Sequence, residues 1–292
     1  MRQVLAASRP FSWVNTAYPF AAAYLMATGG RIDAALVVGT LFFLGPYNLL
    51  MYGVNDVFDY ASDLRNPRKG GIEGGLVAPS EARAAHRRIL AACAVTTVPF
   101  VIWLLTIGSR GAAPANLTLL AVVFLVVAYS VPGLRFKERP VLDSMTSAMH
   151  FVGPALYALV LVRADLGART VWPVLAAFAL WGMGSHALGA VQDVRADREG
   201  GIGSVATVLG AHPTVVAATS AYALAAVVLL ALPWPARLAA LLPLPYAVNA
   251  AVLWSVRDAD CERANRGWRR FLWLNLITGF LVTMLLIAVA RT

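Results

Sequence analysis

The sequence predicts an all-α, polytopic membrane protein, and three observations carry that prediction. Only 13% of the 292 residues are charged, where soluble domains run at about 25%. The apolar residues, 59% of the chain, gather in runs of about 20, the length a helix needs to cross a bilayer. The two-residue alternation of a membrane barrel is missing, so the backbone must satisfy itself as helices.

Nine spans follow, at roughly 11–28, 34–54, 88–107, 115–131, 141–162, 171–191, 213–232, 237–256 and 271–290. The first holds Asn15 and Pro19, which suit a retained span better than a cleaved leader. With the N-terminus in the cytoplasm, the cytoplasmic loops hold 18 of the 24 Lys and Arg residues. The opposite side keeps Arg31, Arg110, Arg163, Arg169, Arg237 and Arg291. Such a split obeys the positive-inside rule. The net charge of +9 therefore reports orientation in a cell membrane, and no nucleic-acid partner is expected. Cys93 lies in an apolar run and Cys261 in a polar loop, so neither a disulfide framework nor a cysteine metal site is expected. The whole chain, 1–292, reads as one transmembrane domain.

The second span runs into Asn55-Asp56-Val57-Phe58-Asp59-Tyr60-Ala61-Ser62-Asp63. If the helix continues, Asn55, Asp59 and Asp63 lie at about 0°, 40° and 80° around its axis, and Asp56 near 100°. Four oxygen-bearing side chains then share one quadrant. Oxygen ligands at that spacing suit a hard cation such as Mg²⁺, and carboxylates so close repel one another without one. A solvated acidic helix end is the plainer alternative. Arg65, Arg68 and Lys69 follow, then Gly70 and Gly71. They read as a flexible basic lip over an anion or as part of the positive-inside bias.

The loop after the fourth span holds Tyr129-Ser130-Val131-Pro132-Gly133-Leu134-Arg135-Phe136-Lys137. Tyr129 suits either a cavity wall or an interfacial anchor. The sixth span closes on Gln192-Asp193-Val194-Arg195-Ala196-Asp197-Arg198 and then Gly200-Gly201. Asp193 and Asp197 again stand four apart, 134 residues after Asp59 and Asp63, a weak internal repeat. His186, on the same face, reads as a buried, satisfied histidine. The loop 257–270, with mixed charges, reads as an ordinary solvated loop.

Both acidic motifs close even-numbered spans and so face the cytoplasm. Five aspartates facing lipid at the bilayer centre would cost roughly 12–17 kcal/mol. They are expected instead to line a central cavity open to the cytoplasmic side. Carboxylates, Mg²⁺, bases and an apolar chamber together describe a diphosphate site for a greasy substrate.

These motifs make the chain resemble the UbiA superfamily of intramembrane prenyltransferases. Asn55, Asp59 and Asp63 match its first aspartate-rich motif, and Asp193 and Asp197 its second. Tyr129-Ser130-x-Pro132 with Leu134-Arg135-x-Lys137 is similar to its third signature, with Gly133 where the family usually has a second proline. Within the superfamily the chain looks most like the bacterial lycopene elongases. That likeness runs through Ser8-Arg9-Pro10, Ser12-Trp13-x-Asn15-Thr16, Pro46-Tyr47-Asn48, Ser62 to Gly71, Leu188 to Val194 and Phe271 to Asn275.

The resemblance implies Mg²⁺-dependent transfer of a five-carbon prenyl group from dimethylallyl diphosphate to the end of lycopene, followed by proton loss or hydration. It implies metal ligation by Asn55, Asp56, Asp59, Asp63, Asp193 and Asp197. It implies diphosphate binding by Arg65, Lys69, Arg135, Lys137 and Arg198, with Tyr129 facing the allylic cation. An aromatic or quinone-precursor acceptor is the alternative within the same fold. A divalent-cation transporter is a more distant one, since bases beside the acids would obstruct a cation path.

Overall fold

A computed structural model of the protein describes residues 2–64 and 77–292, without the side chains of 61–63. Among the described residues every regular element is helical. Among the described residues, seven helical stretches are long and apolar enough to cross a membrane: Ala34–Tyr60, Pro79–Gly108, Ala113–Ser130, Leu142–Leu161, Val171–Val191, Ala211–Leu229 and Asp258–Val289.

The chain divides into two compact units. The first, residues 1–136 and 150–164, contains α1 (Arg2–Ala7), α2 (Trp13–Thr28), α3 (Ala34–Leu44), α4 (Pro46–Asp63), α5 (Pro79–Trp103) and α6 (Ala113–Ser130). It also takes the second half of α7 (Leu142–Leu161). The second, residues 137–149 and 165–292, takes the first half of α7. Its other helices are α8 (Val171–Val191), α9 (Val194–Glu199), α10 (Val205–Leu209), α11 (Ala211–Leu229), α12 (Leu244–Ala251) and α13 (Asn265–Val289).

Among the described residues seven such stretches stand against the nine spans predicted, and the two differences have local causes. The first predicted span is α2, 16 residues with Pro19 inside, which rises about 24 Å against an apolar thickness of about 30 Å. The eighth is split into a 3₁₀ segment, Ala236–Leu241, and the eight-residue α12. Pro243 and Pro245 lie at that junction, and neither can donate a backbone hydrogen bond.

The second predicted span also breaks, at Gly45–Pro46, and polar side chains close the gap. Asn48 Nδ2 donates to the Phe43 and Leu44 carbonyls at 2.8 and 3.1 Å and to Thr16 Oγ1 at 2.6 Å. Thr16 Oγ1 donates to the same Phe43 carbonyl at 2.7 Å. Carbonyls released by a proline at a helix start are thus satisfied inside the unit. Past the break α4 runs unbroken to Asp63, so the first acidic motif occupies its last turns. Behind it, Phe20, Phe42, Phe43 and Tyr47 form an aromatic core with ring centroids 4.9–5.9 Å apart. Gly53 lets α4 approach α5, since a Cβ there would lie 2.9 Å from Ile89.

In the second unit α8 packs along α11. Gly184 faces the Ala218 carbonyl at 3.2 Å from where its Cβ would be. Beside them Phe271 stacks with Trp181 and Trp268, and Tyr246 meets Trp181 and Phe271 edge-on.

Candidate active site

In the first unit, the α4 helix puts Asn55 and Asp59 one turn apart on one face, as the four-residue spacing predicts. Asn55 Oδ1 accepts the Ser130 hydroxyl at 3.0 Å, which ties the acidic motif to the end of α6. Asp59 is buried, 8% exposed, and Arg135 Nη2 approaches its Oδ1 at 3.6 Å. A carboxylate withdrawn from water needs positive charge close by, and Arg135 brings it from the signature loop.

That loop owes its shape to Gly133, at φ 90°, and Arg135, at φ 39°. Proline is held near −65°, so the residue found here permits a turn that a second proline would forbid. Tyr129 is half-buried and packs edge-on against His150, with ring centroids 5.1 Å apart. Tyr47 in turn donates to the His150 carbonyl at 3.2 Å.

Asp56 meets the N-terminal segment. Its Oδ1 accepts Arg9 Nη2 at 3.0 Å, and the Arg9 guanidinium lies 4.3 Å over the Tyr52 ring. Arg9 holds φ 49° to do so. Arg9 was legible only as one base in a basic N-terminus, because nothing in its spacing names a partner 47 residues away.

In the second unit, α8 stops at Val191 and α9 begins at Val194. Asp193 occupies the junction, yet its relation to Asp197 survives the break: Asp197 N–H donates to the Asp193 carbonyl at 2.8 Å. Arg198 does not reach toward the acids. Its Nε donates to the Thr207 carbonyl at 2.9 Å and its Nη1 to the Asp258 carboxylate. Asp258 also accepts the Ala211 N–H at 2.6 Å. Asp258 belongs to the loop read as plain solvated surface, and it is a fixed anchor. His186 is held by Ser144, Oγ to Nδ1 at 3.0 Å, as a satisfied histidine should be.

The structure thus brings together Asn55, Ser130, Asp59 and Arg135 in one unit, and Asp193 with Asp197 in the other. It pairs Asp56 with Arg9 and Arg198 with Asp258. Asp63 lies on α4 with its side chain outside the described residues, as do Arg65 and Lys69 entirely. Among the described residues no three His, Cys, Asp or Glu side chains converge as a metal site. The donors of the two motifs are all hard oxygens, a set that fits Mg²⁺, and Asp59 is buried.

A model of the UbiA prenyltransferase family matches residues 16–277. The chain belongs to that family. It is similar, at 56% identity over 96% of its length, to a C(50) beta-cyclic carotenoids biosynthesis protein of Dietzia sp.. It spans 63% of the length of that relative. It is 48% identical over 99% of its length, and over 98% of the other chain, to a lycopene elongase/hydratase of Corynebacterium glutamicum. The solved UbiA homologue of Archaeoglobus fulgidus bound to DMAPP and Mg²⁺ shares the fold, with a TM-score of 0.67 at 17% identity. That match covers 94% of this chain and 98% of the homologue. The protein is a prenyltransferase built as a multi-pass membrane protein.

Proposed function

We propose that this UbiA-family chain transfers the dimethylallyl group of dimethylallyl diphosphate to the end of lycopene, in a reaction that requires Mg²⁺. The observation that carries the reading is the 48% identity, end to end, with a lycopene elongase/hydratase.

Asn55, Asp59, Asp63, Asp193 and Asp197 would hold the metal, which when bound neutralises the charge of the leaving diphosphate. Arg135 and Lys137, on one short loop, bind diphosphate oxygens, with Arg65 and Lys69 as further candidates. The allylic C–O bond breaks and its electron pair leaves with the diphosphate. The terminal double bond of lycopene supplies the pair for the new C–C bond. The cation left on the acceptor then loses a proton or takes up water. Tyr129, packed edge-on to His150, presents a π face to the allylic cation. The apolar spans keep stray water away from it. The acidic motifs and the N-terminus are assigned to the cytoplasmic side on the 18-to-6 division of basic residues.

The test is one incubation of membranes with lycopene, dimethylallyl diphosphate and Mg²⁺, read by product mass. A product heavier by one C5 unit, with or without water, supports the reading. Unchanged lycopene beside a prenylated aromatic acid would replace it with the aromatic-acceptor alternative.

A further inference from the structure

Two short segments of the second unit, 137–144 and 193–205, are clamped to each other at two points. Asp143 is fully buried. Its Oδ1 accepts the neighbouring Ser144 N–H at 2.6 Å, and its Oδ2 accepts the Val205 N–H at 2.7 Å, 62 residues away. Five residues earlier, the Glu138 carbonyl sits so near Gly203 that a Cβ there would be 2.6 Å from it. Ser144 adds a third tie, through its hydroxyl to His186.

The far segment is itself stiff. Ile202 N–H donates to the Asp197 carbonyl at 2.8 Å, closing the turn after the second acidic motif. Ser204 caps α10 through the Thr207 N–H at 3.1 Å. A continuous path of short contacts therefore runs from Asp193 and Asp197, through Ile202, Gly203 and Val205, to Asp143 and Glu138, and so to Lys137.

A buried carboxylate spent on two backbone N–H groups is costly unless the geometry it holds is needed. We propose that Asp143 is a positioning residue that fixes the Lys137 loop against the Asp193–Asp197 turn. It sets the spacing between a diphosphate-binding base and the second pair of metal-binding acids. This rests on the function proposed above, and Gly203 serves the same end by admitting the Glu138 carbonyl.

The experiment uses the full chain purified in detergent and reads thermal stabilisation by Mg²⁺ with inorganic pyrophosphate, titrated to its half-point. Wild type should be stabilised, and Asp193→Asn should not. Asp143→Asn should need about tenfold more pyrophosphate, the usual loss when a group that orients a metal site is altered. Gly203→Ala, which pushes on the Glu138 carbonyl from the other clamp, should shift the half-point the same way. A merely structural role would lower the melting temperature without ligand and leave the half-point alone. Folded variants that both keep the wild-type half-point overturn the proposal while leaving the functional reading intact. If Asp143→Asn does not fold, Gly203→Ala decides alone. A wild type that ignores Mg²⁺ and pyrophosphate, or an Asp193→Asn that responds normally, overturns the functional reading first and this inference with it.

Discussion

Arg9 and Asp56 form an ion pair, Nη2 to Oδ1 at 3.0 Å, that joins the segment before α2 to the first acidic motif. The sequence places Asp56 among the metal ligands, but its carboxylate is already held by a guanidinium stacked on Tyr52. Its neighbour in the motif, Asp59, faces Arg135. Asp56→Asn should therefore lower thermal stability and leave the Mg²⁺ half-saturation of turnover within about twofold of wild type, since no ligand is lost. The combination with Arg9→Gln should cost less than the two changes summed, by about 1 kcal/mol of coupling. A tenfold rise in the Mg²⁺ requirement of Asp56→Asn would return this residue to the metal site.

Asp59 and Asp193 should behave differently from Asp56. Each is expected to ligate metal, so Asp59→Asn and Asp193→Asn should each cut turnover by at least about a hundredfold. Both variants should remain folded in the membrane, because asparagine matches aspartate in size and shape. Added Mg²⁺ should restore a chelated wild type and neither variant. An Asp193→Asn enzyme turning over at near the wild-type rate would make the second motif structural.

The contrast between Asp56 and Asp59 shows where the sequence was legible. Four-residue spacing in a continuing helix is a local property, and α4 does run to Asp63. The family signature was equally local, down to Gly133, whose φ of 90° explains why proline is absent there. The partners of Arg9 and Arg198 were not legible. They are set by packing of segments 47 and 60 residues away, and a basic residue carries no mark of which acid it will meet. The broken spans lay between these cases. Pro46, Pro243 and Pro245 break helices, but the spans were read through them because hydropathy averages over single residues, and only the structure shows that Asn48 and Thr16 repair the first break.

Orientation can be checked directly. In a background without Cys93 and Cys261, single cysteines at Glu138 or Glu199 should label from the cytoplasmic side, as the distribution of basic residues requires. Cysteines at Arg110 or Arg169 should label from the opposite side. Labelling of Glu138 and Arg110 from the same side would break the alternation of spans between them.

Asp33 gives the pH dependence a definite sign. It begins α3, accepting the Leu36 N–H at 3.1 Å, the Tyr24 hydroxyl at 2.7 Å and Arg31 Nε at 2.9 Å. Burial pushes its carboxyl up, but the Tyr24 and Leu36 hydrogen bonds and the Arg31 charge together hold it below its ordinary value. A carboxyl depressed on folding stabilises the protein above its unfolded pKa and loses that effect as pH falls through the folded one. Asp33→Asn keeps the cap, since asparagine serves there as well as aspartate, but gives up the charge facing Arg31, so it should lower the melting temperature at pH 7 by the equivalent of about 0.5 kcal/mol, as for an exposed ion pair. The gap to wild type should shrink as the medium is taken below the ordinary range of aspartate. A gap that is constant across that range would show that the charge of Asp33 contributes nothing.

The acceptor is the last matter the chain's own chemistry addresses. The charged motifs act on the diphosphate of the donor, so the choice of acceptor falls to the apolar helices. A quinone precursor carries hydroxyl and carboxylate groups that must be met by buried polar partners or forfeit several kcal/mol, on the order of 2–7 for each unmet group. Lycopene has no polar group and makes no such demand. Apart from Arg88 at the start of the third, the third, fourth and seventh predicted spans carry, besides Ser, Thr, Tyr and Trp, only Cys93 and Asn116 as polar residues. Both already donate to backbone carbonyls, Cys93 to Leu49 and Asn116 to Leu105. These spans offer a long hydrocarbon everything it needs and a hydroxybenzoate little to hold. Such a hydrocarbon lives in the bilayer, and its entry is expected sideways from lipid rather than through basic loops. The purified protein should therefore add a five-carbon unit to lycopene and leave 4-hydroxybenzoate untouched when both are offered with dimethylallyl diphosphate and Mg²⁺. Ready prenylation of 4-hydroxybenzoate with lycopene inert would refute the acceptor assignment while leaving the family intact.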